Sequence, residues 1–408
     1  MSNKLIVIGG GAAGFFCAVN AARMHPNLEV LILEKSNKLL SKVKVSGGGR
    51  CNTTHACFEL GDLVKKYPRG QQFLKKSFHW FNTKDTIEWF EERGVQLKTE
   101  QDGRMFPDTN DSQTIINCLL QEADKYGVKL QLQTEVTSIK SSEGFELQTA
   151  NGKTFQCQWL CIATGGYPKA AMFDWLTALG HQIESPVPSL FTFNLPKHPI
   201  TALMGVSVEK AQVKINGTKL VEEGPLLITH WGLSGPVVLK LSAWGARQLA
   251  DAAYQYQITV NWVPDYHENS LREAWHGIRT SLSAQKIINR NPFGLPSRIW
   301  IFLLETAGIN PEIRWADLAS KDQNKLIQLL TGHSFQVNGK TTFKEEFVTC
   351  GGIKLSEIDA NTMMSKKIPN LFFAGEVMDI DGVTGGFNFQ NAWTSGWIAA
   401  KQISAGAS

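Results

Sequence analysis

The sequence predicts an α/β fold in which a parallel sheet covered by helices is interrupted by a region of different character. A strand, a glycine-rich turn, a helix and a second strand follow one another at the start of the chain, and a strand, glycines and a helix return near its end. Between about residues 188 and 344 the pattern changes to short strands and then to helices. We therefore predict a discontinuous first domain that carries an insertion.

The first unit extends from Lys4 to Lys35 and has every part of a β-α-β nucleotide-binding unit. Its parts are, in order, an apolar strand at 5–8, the sequence G-x-G-x-x-G at 9–14, a small-residue helix at 12–24, and a strand at 28–33 that ends in Glu34. Because strand, glycines, helix and terminal acid occur in register, the pattern predicts a Rossmann-like domain that binds an adenine dinucleotide.

The three glycines of the G-x-G-x-x-G sequence and Glu34 each have a physical task. Gly9 permits the tight turn out of the strand, Gly11 lets the backbone approach a pyrophosphate, and Gly14 lets helix and strand pack closely. The N–H groups and positive dipole end of the helix then favour phosphate. The carboxylate of Glu34 can accept hydrogen bonds from both ribose hydroxyls and would repel a 2′-phosphate.

Composition excludes several other classes of protein. Among 408 residues, 43% are apolar and 19% are charged, as in an ordinary globular protein. The net charge of +4, from 41 basic and 37 acidic residues, is too small to indicate a nucleic-acid partner by itself. The glycines after residue 8 argue against a signal peptide, and no stretch reaches the roughly 18 apolar residues of a membrane span. We expect a cytoplasmic protein without a membrane partner.

Further elements of the first domain follow the second strand. Three consecutive glycines at 47–49 precede Arg50, so the backbone here either approaches a flat or anionic group or forms a flexible loop. Asp102 and Gly103 predict a hairpin turn. Helices are expected at 73–94, 112–126 and 390–403, and strands at 128–134, 136–139, 145–149, 154–158, 159–163 and 371–374.

The insertion is predicted to contain two further domains. Strands at 191–195, 206–215, 219–221, 226–228 and 256–263 indicate a β-rich, barrel-like domain, and the stretch from 270 to 332 is helical with three tryptophans in its core. The predicted domains are residues 1–187 with 345–408, residues 188–268 with part of 333–344, and residues 269–332.

Several motifs together resemble a known family. They are GGGAAG at 9–14, SGGGRCN at 46–52, GRMFP at 103–107, ATGG at 163–166, THWGLSGP at 229–236, TCGGI at 349–353, TMMSK at 362–366, and LFFAGEVMDIDGVTGGFNFQNAWTSG at 371–396. In this combination the chain resembles the flavoproteins of the glutathione reductase superfamily with two dinucleotide-binding domains, and within them the BaiN-like bacterial flavoproteins. His55 stands where that family usually has Asn.

The resemblance implies FAD bound in an extended form across the first domain. Val136 would reach adenine through its backbone, Gly375 and Glu376 would meet the ribityl or phosphate region, and Asp379 competes for the same task. The N-terminus of the last helix would face the flavin pyrimidine and stabilise negative charge on it. The predicted cofactor residues are Gly9, Gly11, Ala12, Ala13, Gly14, Glu34, Lys35, Lys42, Gly48, Gly49, Arg50, Cys51, Val136, Ala163, Thr164, Gly165, Gly375, Glu376, Asp379, Gly386, Phe387 and Asn388.

The substrate side is defined by few residues. His230 lies after a strand, where it either protonates a substrate carbon or holds the turn structurally. Arg50 and Arg104 could bind an acidic substrate or the flavin phosphates, and the second role is favoured for Arg50. Cys51 and Cys57 raise the alternative of a redox disulfide, although their spacing is one residue longer than in dithiol flavoenzymes.

Three functions remain open at this point. The leading hypothesis is an FAD-dependent oxidoreductase for a small organic substrate, such as a C=C bond conjugated to a carbonyl, with NAD(P)H as donor. The chain has no second strand with G-x-G-x-x-G, so NAD(P)H would dock transiently against the flavin. An RNA-modifying flavoenzyme is the second hypothesis, for which the sequence shows no basic run and the net charge of +4 is weak support, and a non-enzymatic flavin redox sensor is the third.

Overall fold

The computed structural model describes residues 3–341 and 348–407. The chain forms two compact units, one of Met1–Ser189 with Phe343–Ser408 and one of Leu190–Thr342. The predicted boundary between residues 344 and 345 lies outside the described residues, and the predicted division between residues 268 and 269 stays a prediction. Because each unit has its own core, each is described by itself.

The first unit is organised by a five-stranded parallel sheet, whose strands are, in spatial order, β20 (Leu371–Phe373), β10 (Trp159–Ile162), β1 (Lys4–Ile8), β2 (Glu29–Leu33) and β6 (Lys129–Gln131). Its central strands are almost continuously apolar and buried, as a sheet covered on both faces requires. The strands of this unit are β1 (Lys4–Ile8), β2 (Glu29–Leu33), β3 (Thr54–His55), β4 (Leu97–Thr99), β5 (Arg104–Pro107), β6 (Lys129–Gln131), β7 (Val136–Ser141), β8 (Phe145–Thr149), β9 (Thr154–Cys157), β10 (Trp159–Ile162), β11 (Ile183–Ser189), β19 (Val348–Ile353) and β20 (Leu371–Phe373).

Smaller antiparallel sheets complete the strands of this unit. They have the orders β3-β5-β4, β7-β8-β9 and β11-β19. The predicted hairpin at Asp102-Gly103 is present as β4 and β5, and the strands predicted at 136–139, 145–149 and 154–158 pair with one another as β7, β8 and β9. The mixed α/β architecture with a parallel Rossmann-like sheet is therefore confirmed.

The helices of the first unit include those predicted at 12–24, 112–126 and 390–403, together with short helices that were not predicted. They are α1 (Ala12–Met24), α2 (Ser41–Gly49), α3 (Leu60–Val64), α4 (Gln71–Ser77), α5 (Thr83–Glu91), α6 (Ser112–Lys125), α7 (Asp174–Thr177) and α13 (Phe387–Ala407). The predicted single helix at 73–94 is wrong. It is divided because Asn82 starts a new helix with a capping box, in which Asn82 accepts from the N–H of Lys84 at 2.9 Å and Asp85 accepts from the N–H of Asn82 at 2.7 Å.

The last helix, α13, begins at Phe387 and is longer than the predicted 390–403. It packs against α1 at a point where both backbones come close. A Cβ on Gly396 would lie 2.7 Å from the carbonyl oxygen of Ala13 and 3.1 Å from the nitrogen of Cys17, so only glycine allows this approach. The rings of Phe16 and Trp393, 5.1 Å apart, fill the neighbouring interface.

The second unit contains a seven-stranded sheet in the order β17-β16-β13-β14-β15-β12-β18, with antiparallel pairs throughout. Its strands are β12 (Thr192–Asn194), β13 (Ser207–Ile215), β14 (Val221–Ile228), β15 (Gly232–Ser234), β16 (Gln255–Asn261), β17 (His333–Asn338) and β18 (Lys340–Thr341). Its helices are α8 (Pro236–Trp244), α9 (Ala246–Asp251), α10 (Glu268–Ser281), α11 (Ser297–Ala307) and α12 (Ser320–Gly332). Strands and helices share one hydrophobic core, which includes Trp262, Trp275, Trp300 and Trp315.

A neutral histidine is built into that core. His333 is 6% exposed, and its Nδ1 accepts a hydrogen bond from the indole N–H of Trp262 at 3.3 Å. Its ring lies 4.2 Å from that of Phe335. Burial, with a smaller contribution from nearby His198, lowers the pKa of His333 from 6.5 to about 4.

This lowered pKa makes the second unit sensitive to acid. Between about pH 6.5 and pH 4 the unfolded chain binds a proton at His333 that the folded chain does not, so the free energy of unfolding falls as the pH falls. Between roughly pH 7.5 and pH 5, we predict that the free energy of unfolding falls by about 2 kcal/mol less in His333→Phe than in the wild type. Denaturant unfolding at the two pH values measures this difference. Substitution of exposed His276 by Gln should keep the wild-type pH dependence. An equal loss in His333→Phe and wild type would contradict the assignment.

Candidate functional site

The turn from β1 into α1 has the geometry that a pyrophosphate site needs. A Cβ on Gly14 would lie 2.0 Å from the carbonyl oxygen of Gly9, so the helix approaches the strand as closely as it does only because residue 14 is glycine. A Cβ on Gly11, the residue before the helix, would meet no atom within 4 Å. The first turn, which includes Ala12 and Ala13, contains no acidic residue. Its backbone N–H groups are therefore available to an anion.

Glu34 fastens this turn to the end of β2. Its Oε2 accepts from the N–H of Gly10 at 2.8 Å, and its Oε1 accepts from the N–H of Ser36 at 2.8 Å. Its backbone carbonyl accepts from the N–H of Thr134 at 2.9 Å. The carboxylate is half-buried and keeps free lone pairs for a ribose, so the structure gives this residue a positioning task that the sequence pattern did not reveal.

A cavity of about 310 Å³ lies beside Glu34 at the carboxyl ends of β1, β2 and β10. Ligands of doubly wound sheets bind at this edge. The cavity brings together five of the predicted cofactor residues, namely Gly9, Glu34, Lys35, Val136 and Thr164. Its size and its mixture of apolar and polar walls suit an adenosine.

One wall of this cavity was not predicted from the sequence. It is formed by Tyr167, Met172 and Trp175, from the segment that connects β10 to β11. The ammonium group of Lys35 lies 5.6 Å from the centre of the Tyr167 ring. These residues belong to neither a glycine motif nor a strand pattern. The only sequence signal for this wall of the cavity is the aromatic residues that follow ATGG.

The loops after β10 and β20 meet at the same edge of the sheet. A Cβ on Gly9 would lie 2.4 Å from the carbonyl oxygen of Ala163, and one on Gly375 would lie 2.8 Å from the Cβ of Ala13. Gly165, in contrast, has no atom within 4 Å of its Cβ position. The backbone is thus packed tightly on one side and open on the side where a dinucleotide would extend.

Glu376 is the centre of a polar group at this edge. Its Oε2 accepts from the ammonium of Lys42 at 2.6 Å, and its Oε1 accepts from the N–H of Thr349 at 2.7 Å. The hydroxyl of Thr349 is fully buried and has no hydrogen-bond partner in the described part of the chain. A Cβ on Gly166 would lie 2.3 Å from that hydroxyl. Thr349 is therefore a polar group at the site that the sequence analysis missed.

The glycine triplet forms a left-handed turn at the end of α2. Gly47, Gly48 and Gly49 have φ values of 59°, 70° and 86°, and the Cβ positions of Gly48 and Gly49 meet no atom within 4 Å. This conformation disfavours other residues and leaves the backbone exposed on one side. The triplet can therefore approach a flat ring, in agreement with the cofactor interpretation.

Arg50 and Cys51 are held by the protein itself. The guanidinium of Arg50 lies 4.0 Å from the centre of the Phe106 ring and donates to Glu100 at 2.6 Å, and Arg104 donates to the same carboxylate at 3.0 Å. Burial raises the pKa of the Cys51 thiol to about 11, so this cysteine is not a thiolate at neutral pH. Both Cys51 and Cys57 are free thiols.

The start of α13 is fixed by side chains from its own loop and from β3. Asn388 accepts from the N–H of Gly382 at 2.8 Å and donates to its carbonyl oxygen at 3.0 Å. The ring of Phe387 stacks on that of His55 at 4.6 Å. A Cβ on Gly386 would lie 2.5 Å from the carbonyl oxygen of Thr54. The side chains of Phe387 and Asn388 are thus occupied, and contacts to a flavin would come from backbone N–H groups.

The loop between β20 and α13 is anchored by an acid that was not singled out. Asp381 is fully buried and pairs with Arg69, and Ser189 donates to it at 2.7 Å. Burial raises the pKa of Asp381, while Arg69 and Ser189 oppose that shift. Asp379 is 9% exposed, and its N–H donates to the carbonyl of Ile353. Asp381 therefore has a structural role, and Asp379 stays a predicted cofactor residue.

His230 lies in the second unit, in the turn between β14 and β15. The turn is closed by Thr229, whose hydroxyl accepts from the N–H of Trp231 at 3.3 Å and of Gly232 at 3.2 Å. These hydrogen bonds of the turn do not involve the imidazole of His230, and the predicted structural role of this residue stays a prediction. The imidazole is exposed beside the ring of Trp231, at 4.0 Å, and its catalytic role stays a prediction.

The geometry fits FAD, because an open glycine turn at a helix N-terminus, an acid at the end of β2 and an adenosine-sized cavity adjoin one another. The chain matches the family described as HI0933-like protein Rossmann domain over residues 3–402. The chain belongs to the HI0933-like family. It is an FAD-binding flavoprotein of the oxidoreductase class, and the resemblance to BaiN-like flavoproteins is confirmed.

Relatives of this HI0933-like chain carry two different activities in their names. It is 34% identical to the ribosomal RNA dihydrouridine synthase of Escherichia coli (strain K12), over 98% of this chain and 97% of that protein. It is 26% identical to the 3-dehydro-bile acid delta(4,6)-reductase of Clostridium scindens, over 98% of each. Among solved structures, the 3-ketosteroid delta1-dehydrogenase of Sterolibacterium denitrificans matches with a TM-score of 0.52 and 13% identity, over 99% of this chain and 100% of that chain, and shares the fold.

A bilayer-spanning segment was not expected from the sequence. In residues 3–341 and 348–407, no helix combines the length and the hydrophobicity that would be needed to cross a membrane.

The buried hydroxyl of Thr349 leads to a prediction about FAD binding. We expect Thr349→Val to raise the dissociation constant of FAD about 5-fold to 30-fold, because an unpaired buried hydroxyl at the site should gain its partner from the cofactor. Thr349→Ser should bind FAD like the wild type. The measurement is fluorescence titration of the apoprotein with FAD.

Thr83 provides a matched control for this substitution. Its hydroxyl is also buried and without a partner in the described part of the chain, but it lies at the start of α5. Thr83→Val should leave the affinity for FAD unchanged. If both valine variants bind FAD like the wild type, the hydroxyl of Thr349 has no role in cofactor binding.

Proposed function

We propose that the protein is an FAD-dependent reductase of a C=C bond conjugated to a carbonyl, and that its substrate is a uridine in RNA. The observation that carries this proposal is the 34% identity, over almost the full length of both chains, to a ribosomal RNA dihydrouridine synthase. The fold does not distinguish substrates, so the proposal depends on this relative and on the chemistry of the bond.

The two named activities of the relatives share one bond type. In uracil the C5=C6 bond is conjugated to the C4 carbonyl, and in a 3-dehydro bile acid the double bonds of the delta(4,6) system are conjugated to a carbonyl. In both cases a hydride adds to the carbon remote from the carbonyl and a proton adds to the neighbouring carbon. The two named activities therefore require the same kind of flavin chemistry.

FAD when bound supplies the two-electron step, taking a hydride from NAD(P)H and passing it to the substrate. The chain supplies binding and orientation. The first turn of α1 would bind the pyrophosphate, Glu34 the adenosine ribose, and the backbone at Gly48 and Gly49 would lie against the ring system. The N-terminus of α13, which has no acid in its first turn, would stabilise negative charge at the flavin.

The donor is expected to be NADH or NADPH, which must bind transiently. The sequence has one G-x-G-x-x-G unit following a strand, and the FAD adenosine occupies it in this proposal. The electron balance closes with one NAD(P)H consumed for each C=C bond reduced.

This proposal ranks RNA above a small organic molecule as the substrate, whereas the sequence analysis ranked the small organic molecule first. A net charge of +4 gave only weak support to an RNA substrate, whereas the relative with the named RNA activity is the more similar of the two. Charge averaged over the whole chain is a weak criterion, because the average hides any unequal distribution of charge along the chain. A small conjugated enone is the second candidate, and the bile-acid reductase supports it.

The first test is turnover with RNA. We predict that anaerobic mixing of the yellow holoprotein with NADPH or NADH bleaches the flavin absorbance, and that reduced protein then converts uridine in an unmodified ribosomal RNA transcript to dihydrouridine. Mass spectrometry of the digested RNA should detect a nucleoside heavier than uridine by two hydrogen atoms. Free uridine is the control for recognition of the RNA context.

The other outcomes separate the alternatives. Reduction of a conjugated steroid enone with no change in RNA would favour the small-molecule activity and contradict the RNA substrate. Bleaching without turnover of either compound would favour a redox sensor. Failure of both nicotinamides to bleach the flavin would contradict the proposed donor.

His230 is the candidate proton donor in this reaction. We predict that His230→Ala slows substrate reduction about 100-fold, because general acid catalysis contributes at least that much in most enzymes. Flavin reduction by NAD(P)H, which needs no such acid, should be unchanged. Trp231→Phe is the control, since it alters the neighbouring ring without removing an acid. Equal rates in His230→Ala and wild type would exclude His230 from catalysis.

A further inference from the structure

The net charge of the chain is confined to one of its two units. Residues 190–342 contain 15 Lys and Arg against 11 Asp and Glu, whereas the remaining residues contain 26 of each. The first unit is therefore neutral and the second carries +4. Within the second unit, no acid occurs between Glu273 and Glu305, a stretch that includes Arg279, Lys286, Arg290 and Arg298. Clustering of this kind indicates an anionic partner more strongly than the total charge does.

Part of this stretch forms an extended pair with a later segment. The N–H of Ile287 donates to the carbonyl of Ile313 at 2.9 Å, and that of Trp315 donates to the carbonyl of Gln285 at 3.0 Å. Lys286 and Arg314 are opposite each other in an antiparallel bridge. We call residues 283–290 together with residues 311–316 the basic ribbon.

The basic ribbon is held rigidly on a layer of tryptophans. The indole N–H of Trp300 donates to the carbonyl of Ile287 at 2.8 Å, and that of Trp315 donates to the carbonyl of Arg290 at 3.2 Å. The two indole rings stack at 6.1 Å, and Trp275 lies 5.7 Å from Trp315. Because the backbone is fixed by buried donors, the cations on it are displayed in a defined arrangement.

The cations of the ribbon are only partly neutralised. Lys286, Arg290 and Arg314 are exposed, and two of them, Lys286 and Arg314, face each other across the bridge, which is unfavourable for like charges. Lys286 pairs with Glu312 at 2.7 Å, whereas Arg290 donates to the neutral amide of Gln285 at 2.7 Å.

Arg279 adds a fourth cation beside the ribbon by donating to the carbonyl of Ala316. Within the described residues, no carboxylate forms an ion pair with Arg279, Arg290 or Arg314, and the nearest acid in sequence to Arg314 besides Glu312 is Asp317. Guanidinium groups held by neutral acceptors keep their charge for an external anion.

We propose that the basic ribbon binds the phosphate backbone of RNA. The proposal deepens the proposed function, on which it rests, by naming the surface that positions the RNA. Exposed guanidinium groups match phosphate in charge and geometry. A membrane surface would need apolar anchors as well, and none of the large exposed hydrophobic side chains of the described residues lies in the ribbon.

The test is a binding measurement with an unmodified ribosomal RNA transcript as the probe. In Lys286→Gln/Arg290→Gln/Arg314→Gln holoprotein, we expect the dissociation constant at about 0.1 M salt to rise on the order of 10-fold to 100-fold, and the dependence of log K on log salt to become shallower by about 2. Glutamine keeps a polar side chain at each position, although a shorter one, and removes the positive charge.

A matched triple variant tests whether position or total charge matters. Lys197, Lys214 and Lys219 are exposed in the same unit and outside the ribbon. Lys197→Gln/Lys214→Gln/Lys219→Gln makes the same change in net charge and should keep the wild-type affinity for RNA. The melting temperature and the flavin absorbance of both variants should equal those of the wild type.

The outcomes distinguish this proposal from the proposed function. Equal weakening in both triple variants, or no weakening in either, would overturn the assignment of the ribbon. If the wild type binds RNA through the ribbon but forms no dihydrouridine, the ribbon stands and the proposed reaction fails. If anionic phospholipid vesicles bind the wild type and RNA does not, the partner is wrong.

Discussion

The first unit depends on the close approach of three backbones at the start of α1. Gly14 lets the helix come within contact of the carbonyl of Gly9, and Gly396 lets α13 come within contact of the carbonyl of Ala13. A side chain at either position would separate elements that are far apart in sequence. The same approach directs the first N–H groups of α1 toward the edge of the sheet where β1, β2 and β10 end. Packing and cofactor geometry therefore follow from one constraint.

Two carboxylates organise the loops around that edge. Glu34 joins the glycine turn to the loop after β2, and Glu376 joins α2 to β19 through Lys42 and Thr349. Each acid accepts hydrogen bonds from backbone N–H groups, which makes it a fixed part of the structure before a cofactor binds. Such preorganisation reduces the conformational entropy that binding would otherwise cost. The acids that a motif search assigns to the ligand thus also build the site.

The division of charge between the units suggests how one family can use different substrates. The neutral first unit contains the elements that fit FAD, whereas the second unit carries the excess charge and the basic ribbon. A conjugated C=C bond is the shared chemical requirement of the two named activities among the relatives. What surrounds that bond, a polyanion or a small apolar molecule, would then be selected by the second unit, whereas the first unit would hold the flavin.

The sequence by itself determined the Rossmann-like unit, the cofactor class and the family. Strand periodicity, the glycines at 9–14 and Glu34 are local signals, because turn geometry and burial on both faces act over a few residues. The tertiary structure alone decided the rest. Thr349 meets Gly166 and Glu376 across the fold, Tyr167 and Trp175 close the adenosine cavity from a segment without a motif, and the basic ribbon joins segments more than twenty residues apart. These contacts link residues distant in sequence, so no local pattern encodes them.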